Sequence, residues 1–209
     1  MMQFPLFQAQ TEWVKPEKFP DLTNRQEVAI DLETSDPDLK TKGSGSIVGN
    51  GKVVGIAVAT EGYQGYFPFD HEGGGNLQKK KVIQWFSDLC KSSSLKIFHN
   101  AMYDVCWIRA MGIEIKGDIV DTMTAASLIN ENRMRYDLNS LGREYIGYGK
   151  NEAALINGAK EWGVDPKAEM WKLPAMYVGE YAERDAEVTH QLWKKLKQEL
   201  SNQDLESIF

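Results

Sequence analysis

Asp31 and Glu33 stand two residues apart in the apolar segment 28–34, which has the composition and alternation of a β-strand. Side chains two residues apart on a strand point to the same face, so the two carboxylates are predicted to lie side by side. Two carboxylates on a core strand repel each other and lose hydration, and a hard divalent cation such as Mg²⁺ is the simplest compensation. The alternative is an edge strand whose acids face solvent.

A third acid, Asp104, follows a place where a strand is predicted to end and a helix to begin. Asn100 is a typical N-cap residue, and Asp104 falls in the first helical turn, where the helix dipole favours a negative charge. These structural roles are one explanation of the two residues, and a place in an acidic site is the other. Asp121, at the start of a later helix, is predicted to be an N-cap.

Tyr181 and Asp185 are predicted to lie on one face of the last long helix because they are four residues apart. Small or apolar residues continue that stripe and would let the helix approach a sheet closely: Val178, Ala182 and Val188. The neighbouring glutamates are predicted to be ordinary solvated charges: Glu180, Glu183 and Glu187.

Three motifs therefore occur in order along the chain, on a strand, a helix start and a helix: Asp31-x-Glu33, Asn100-x₃-Asp104 and Tyr181-x₃-Asp185. The ordered set resembles the DEDD superfamily of 3′–5′ exonucleases in its DEDDy, DnaQ-like branch, which has an RNase H-like fold. Over about residues 11–195 the wider sequence resembles the proofreading exonuclease domain of family A DNA polymerases of the phage type. The segments that add to this resemblance are 11–22, 99–104, 121–123 and 181–189.

The resemblance implies a role for each residue of the motifs. The implied metal ligands, for two Mg²⁺ ions that Mn²⁺ could replace, are Asp31, Glu33, Asp104 and Asp185. Tyr181 is the implied branch-defining tyrosine of the catalytic set, and the implied substrate-binding residues are Thr34, Asn100 and Tyr103.

The resemblance also implies an activity. The expected reaction is hydrolysis of DNA from the 3′ end of a single strand, with release of nucleoside 5′-monophosphates. A polymerase domain, in cis or in trans, is the expected partner. Two alternatives stay open from the sequence: an RNase D-like 3′–5′ exoribonuclease, and a structural or interaction domain whose site is idle.

Apolar periodicity and turn residues predict an α/β architecture. The resemblance adds an RNase H-like fold with a five-stranded mixed sheet in the order 3-2-1-4-5 and helices on both faces. Strands are predicted at about 27–33, 53–60, 65–69, 95–98 and within 113–120. Helices are predicted at about 77–91, 101–111, 122–130, 138–146 and 175–200, with a loop at 35–52 and a helical or loop insert at 148–173.

The composition indicates one domain, residues 25–209, preceded by an arm of residues 1–24. Aromatic residues are predicted to pin the arm to the body: Phe4, Phe7, Trp13 and Phe19. With 24 basic and 30 acidic side chains, the net charge of −6 argues against a basic nucleic-acid coat but allows a local groove.

Cellular setting is also constrained by the sequence. The two cysteines, Cys90 and Cys106, are not at zinc spacing and are predicted to be free buried thiols in a reducing compartment. We expect no signal peptide and no membrane span, and hence a cytoplasmic protein, in the host-cell cytoplasm if it is phage-encoded.

Overall fold

The computed structural model describes residues 11–209, in which five strands form one sheet. The strands are β1 (Glu27–Ser35), β2 (Lys52–Thr60), β3 (Tyr63–Pro68), β4 (Leu95–Phe98) and β5 (Ile119–Asp121). Their spatial order is β3-β2-β1-β4-β5, with antiparallel pairing among β1–β3 and parallel pairing of β1 with β4 and of β4 with β5. This confirms the mixed sheet and the predicted order 3-2-1-4-5.

Helices cover both faces of the sheet, as predicted. They are α1 (Leu39–Lys42), α2 (Gly45–Val48), α3 (Lys79–Lys91), α4 (Ala101–Ala110), α5 (Thr122–Ile129), α6 (Leu138–Tyr145), α7 (Ala153–Trp162) and α8 (Ala175–Asn202), with a 3₁₀ turn at Met170–Lys172. The core on one face is formed with α5–α8, and the core on the other with α3 and α4. No helix in the described part of the chain is long and apolar enough to cross a bilayer.

The stretch 35–52 was predicted to be a loop, and that prediction was wrong in part because it contains the single-turn helices α1 and α2. Asp36 accepts the backbone N–H of Gly45 at the start of α2, at 3.1 Å. Asp38 accepts from Lys42 and from Asn50, each at 2.8 Å. These side-chain bonds satisfy backbone and polar groups locally and so fold a segment whose composition is typical of a loop.

Helix α8 reaches the sheet closely because small residues face it. Ala182 and Ala186 are fully buried, and the helix packs across β1, β2 and β3. At Gly179 a Cβ atom would lie 2.1 Å from the ring of Trp13, so this position has no room for a side chain. The arm and the helix are therefore fitted directly against each other.

Aromatic contacts hold the described part of the arm to the body, as predicted. Phe19 stacks on Phe67 with ring centroids 5.7 Å apart, and the indole N–H of Trp85 donates to the carbonyl of Pro20 at 2.7 Å. Phe4 and Phe7 lie outside the described residues. The division into arm and domain at residue 24 stays a prediction.

The two cysteines are free thiols, as predicted, but they differ in exposure. Cys90 is fully buried, whereas Cys106 is half-buried. The expectation of two buried thiols was therefore wrong for Cys106.

The cap of α4 differs from the prediction. Asn100 has a left-handed backbone (φ 68°), and within the described residues its side chain makes no capping bond. Asp121 takes that role: its carboxylate accepts from the backbone N–H of Asn100 and of Ala101, each at 3.0 Å. The same carboxylate accepts from Met123 at 2.8 Å, so it caps α5 as predicted and also the start of α4.

We predict that Asp121→Ala lowers the free energy of unfolding by about 2 kcal/mol or more, because one change uncaps two helices and each cap contributes about 1 kcal/mol. Asp137 caps α6 alone, through the N–H of Ser140 at 3.0 Å, and Asp137→Ala is the matched control. Urea unfolding followed by circular dichroism measures both. Equal losses in the two variants would contradict the double cap.

Candidate active site

Strand β1 brings Asp31 and Glu33 to a cleft of about 760 Å³. Asp31 is partly buried, and Glu33 is 5% exposed. The pairing of β1 with β2 shifts between Glu33 and Thr34, so the strand is irregular directly after the two acids. The cleft contains every residue that the sequence assigned to the site: Asp31, Glu33, Thr34, Asn100, Tyr103, Asp104, Tyr181 and Asp185.

Asp104 lies in the first turn of α4 and is 4% exposed. Strand β4 pairs with residues Glu27–Ala29 of β1, and further along β1 the backbone N–H of Leu32 donates to Asp104 at 3.0 Å. A backbone N–H at this depth needs a partner, and the Asp104 carboxylate supplies it. This bond fixes Asp104 beside the strand that carries Asp31 and Glu33.

Helix α8 supplies Tyr181 and Asp185, one turn apart on the face toward the sheet. Asp185 is 2% exposed, and Tyr181 is half-buried. This confirms the predicted shared face. Glu183, predicted to be a solvated charge, accepts from the indole of Trp13 at 2.8 Å and from the backbone N–H of Tyr66 at 3.0 Å. That prediction was wrong, and the two bonds tie α8 to the arm and to β3.

Lys150 is a member of the cleft that the sequence analysis missed. Its ammonium lies 2.5 Å from Asp185 Oδ2 and 3.1 Å from the Tyr181 hydroxyl. Along the chain Lys150 is 35 residues from Asp185 and 31 residues from Tyr181, and no motif or periodicity joins them. The one local signal is its position directly after Gly147 and Gly149, in a segment that lies outside the helices.

Burial raises the pKa values of the four carboxyl groups, and repulsion by neighbouring carboxylates adds to the rise. The pKa of Asp31 rises to about 7, first through burial and then through the charge of Asp185. Burial, followed by the charge of Asp31, holds the pKa values of Glu33 and Asp104 well above their ordinary range. Burial also raises the pKa of Asp185, although the ammonium of Lys150 opposes that shift.

The donor chemistry of the cleft fits a divalent cation. Glu33 Oε1 and Asp185 Oδ1 are buried without a hydrogen-bond partner among residues 11–209. Carboxylate oxygens of this kind are the ligands that Mg²⁺ prefers. Over the same residues, no group of three or more Asp, Glu, His or Cys side chains is arranged so that it could hold a metal ion as it stands. The cleft therefore offers unpartnered carboxylate oxygens to a cation, and the Lys150 ammonium already contacts Asp185.

The predicted substrate-binding residues form the rim of the cleft. Thr34 and Tyr103 share a hydrogen bond of 2.8 Å between their hydroxyls, and Tyr103 also donates to Asp36 at 3.0 Å. Asn100 is exposed at the start of α4. All three face the cleft, and their contact with a substrate stays a prediction.

Two cations on the rim were also missed by the sequence analysis. Arg135 and Lys167 are exposed and line the same cleft. Arg184, beside Asp185 in the chain, pairs with Glu187 at 2.8 Å. The basic groups that face the cleft therefore come from the segments between α5 and α8, where the chain has no motif.

The sheet order and the acidic cleft define an RNase H-like fold of the exonuclease type. The model of the 3′–5′ exonuclease family matches residues 15–201, and this chain belongs to that family. It is 35% identical to a DNA-directed DNA polymerase of Pseudomonas phage M6 over its full length and 30% identical to the DNA polymerase DpoZ of Salmonella phage PMBT28 over 91% of it. The chain spans about a third of these relatives, 32% and 29% respectively.

A solved structure agrees on the fold. Brucella melitensis NrnC, with bound Mg²⁺, superposes with a TM-score of 0.58 at 17% identity, over 90% of this chain and 79% of that one. At this identity the likeness concerns the fold alone. The site itself is defined by the geometry of this chain.

We predict that Asp31→Asn stabilises the protein in EDTA by about 2 kcal/mol at alkaline pH, because the buried charge is removed. The folded-state pKa of about 7 lies above the ordinary 3.8, so the destabilisation by the Asp31 charge grows as pH rises from about 3.8 to about 7, is complete above pH 7 and is absent below pH 3.8. The gain should therefore vanish toward acidic pH. Urea unfolding across this range measures it.

The matched control for that experiment is Asp118→Asn, at an exposed position outside the cleft. Its stability should stay close to that of the parent protein throughout. A loss of stability in Asp31→Asn at alkaline pH would contradict the conclusion that the Asp31 charge destabilises the metal-free protein.

Proposed function

We propose that this chain hydrolyses single-stranded DNA from its 3′ end and releases nucleoside 5′-monophosphates. The observation that carries the proposal is the convergence of four carboxylates and Tyr181, from β1, α4 and α8, on one cleft. Buried acids of like charge weaken a fold, and their presence together is accounted for by a reaction that needs them. Membership of the 3′–5′ exonuclease family supports the direction of the reaction.

Two divalent ions are the proposed cofactors, with Mg²⁺ as the usual ion and Mn²⁺ as a substitute. Asp31, Glu33 and Asp185 would hold one ion, and Asp31 with Asp104, acting through waters, would hold the other. Ions bound in this way supply an activated water, neutralise phosphate charge and stabilise the leaving 3′-oxygen. The carboxylate oxygens of the cleft are of the kind that Mg²⁺ prefers, which supports the choice of ion.

The protein groups have separate tasks in this proposal. Burial, followed by the charge of Asp185, raises the pKa of Tyr181 well above its ordinary value. Its hydroxyl therefore keeps its proton at neutral pH and orients the attacking water as a hydrogen-bonding group. Glu33, with one unpartnered oxygen in the cleft, is placed to help align the same water.

The rim is the proposed path of the nucleic-acid strand. Arg135 and Lys167 would meet backbone phosphates, while the hydroxyls of Thr34 and Tyr103 and the amide of Asn100 would bind the terminal nucleotide. A local basic rim is compatible with a net charge of −6, because phosphate contacts act over short, screened distances.

We further infer that the substrate strand comes from a DNA polymerase domain, so that the reaction is proofreading. The supporting observation is that both phage relatives are DNA polymerases about three times as long as this chain. The domain would span residues 25–209, with residues 1–24 as its arm. For a phage polymerase the place of action would be the host-cell cytoplasm.

We predict that Asp31→Asn removes metal-dependent release of nucleotides from a single-stranded DNA, with a loss of about a thousandfold or more. The control Asp118→Asn should retain the parent rate. A 5′-labelled oligonucleotide resolved on a gel with Mg²⁺ or Mn²⁺ measures the shortening from the 3′ end. Parent activity in Asp31→Asn would contradict the proposed site.

For Tyr181→Phe we expect single-turnover hydrolysis to slow by about tenfold or more. The Kd for DNA should stay near that of the parent protein, because the lost hydroxyl orients the attacking water and does not bind the strand. Tyr145→Phe, on α6 outside the cleft, is the control. Rapid-quench kinetics and a binding titration in Ca²⁺ separate the two constants. An unchanged single-turnover rate would remove Tyr181 from the reaction.

One comparison separates DNA from RNA as the substrate. Oligonucleotides of matched sequence, one of DNA and one of RNA, are offered to the same preparation, with a mismatched DNA duplex alongside. Faster hydrolysis of DNA and of the mismatched end is the expected result. Preference for RNA would favour an RNase D-like activity, and no hydrolysis with either ion would favour an idle domain.

A further inference from the structure

The Lys150 ammonium contacts two residues of the proposed catalytic set, Asp185 and Tyr181, inside the cleft that holds the four carboxyl groups. The ammonium is 2.5 Å from Asp185 Oδ2, 3.1 Å from the Tyr181 hydroxyl and 5.0 Å from the centre of the Tyr181 ring. The Lys150 side chain is 24% exposed and that of Asp185 is 3% exposed. This pair is therefore largely removed from water, unlike an ordinary surface salt bridge.

The backbone around Lys150 is held in place by α6. The N–H of Lys150 donates to the side-chain oxygen of Asn139 at 3.2 Å. Gly149 packs so tightly there that a Cβ atom would lie 2.1 Å from the same oxygen. By contrast, Lys167 on the rim is 80% exposed and stands 3.8 Å from Glu152. Lys150 is thus built into the cleft, and Lys167 is a surface cation.

The charge of Lys150 offsets part of the carboxylate repulsion. It opposes the burial-driven rise in the pKa values of Asp31, Glu33 and Asp185. Lys150 contacts one of the four carboxyl groups, Asp185, and Glu33 Oε1 and Asp185 Oδ1 stay without a hydrogen-bond partner among the described residues. The cleft is therefore only partly compensated and has capacity for more positive charge.

We propose that Lys150 is an internal counterion that neutralises Asp185 when no divalent ion is bound and that leaves Asp185 when an ion binds. The inference rests on the proposed function, because it takes Asp185 as a metal ligand. Loading of the site is then an exchange of one cation for another. The flexible four-carbon stem of lysine lets the ammonium move while the Lys150 backbone stays hydrogen-bonded to Asn139 of α6.

This exchange has a consequence that a purely structural lysine does not have. If Lys150 competes for Asp185, its removal strengthens metal binding although it weakens the metal-free protein. If Lys150 only supports the architecture of the cleft, its removal disturbs the ligands and weakens metal binding. The two roles therefore move the metal affinity in opposite directions.

The first experiment measures Mn²⁺ binding by calorimetry in the absence of nucleic acid, for the parent protein, Lys150→Gln and the control Lys167→Gln. We expect Lys150→Gln to bind Mn²⁺ about tenfold more tightly, with the control within about twofold of the parent. Equal or weaker binding by Lys150→Gln overturns the exchange and leaves the proposed function standing.

Two further outcomes are informative. Binding by Lys150→Gln where the parent shows none supports the exchange. Absence of binding in both proteins overturns the exchange and the metal-dependent function together. Asp185→Asn, which removes the contested ligand, should bind Mn²⁺ more weakly than either.

A second measurement uses the unmodified chain, so it stands even if Lys150→Gln fails to fold. An amine-acylating reagent is applied with EDTA or with saturating Mn²⁺, and the modified lysines are quantified by mass spectrometry. We expect modification of Lys150 to rise severalfold on addition of Mn²⁺ while that of Lys167 stays constant. Unchanged or reduced modification of Lys150 overturns the exchange.

Discussion

The confinement of four carboxyl groups in one cleft is the constraint on which the site depends. Each of these groups is driven toward its neutral form by burial, and their charges repel. Several compensations act on them, among them the backbone N–H of Leu32 on Asp104, the ammonium of Lys150 on Asp185, and the solvent that reaches Asp31. Since two buried oxygens stay unpartnered among the described residues, the compensation is incomplete, and this is the electrostatic basis of the proposed cation binding.

The rest of the fold holds these groups together against their repulsion. The central strand β1 is flanked by β2 and β4, so Asp31 and Glu33 lie in the middle of the sheet. Asp121 fixes the start of α4, and hence Asp104, by accepting from Asn100 and Ala101. Glu183 joins α8 to the arm and to β3 between the positions of Tyr181 and Asp185. Rigid elements thus place the acids, and the longer connections place the basic rim.

Much of the site could be predicted because its information is local. The spacing of Asp31 and Glu33 fixes a shared strand face, and the spacing of Tyr181 and Asp185 fixes a shared helix face. The order of these motifs along the chain led to the family, and the family gave the order of the strands. The structure places every predicted site residue in the same cleft.

What could not be predicted depends on contacts between distant segments. Lys150 meets Asp185 across 35 residues, and no periodic pattern records that meeting. Asn100 is of a residue type typical of N-caps, yet Asp121 caps α4 because β5 ends beside the start of that helix. In the same way the sequence around Glu183 is typical of a solvated charge on a helix, yet Glu183 is half-buried and accepts from Trp13, which is 170 residues away along the chain.

The central claim is that the carboxylates of this cleft bind divalent ions, with Lys150 giving way on Asp185. Anomalous diffraction from crystals soaked in Mn²⁺ tests it most directly, because Mn²⁺ positions are then located without reference to activity. We expect anomalous peaks among Asp31, Glu33 and Asp185, with the Lys150 ammonium moved off Asp185. Saturating Mn²⁺ with no peak in the cleft, or a peak there with Lys150 still paired to Asp185, would contradict it.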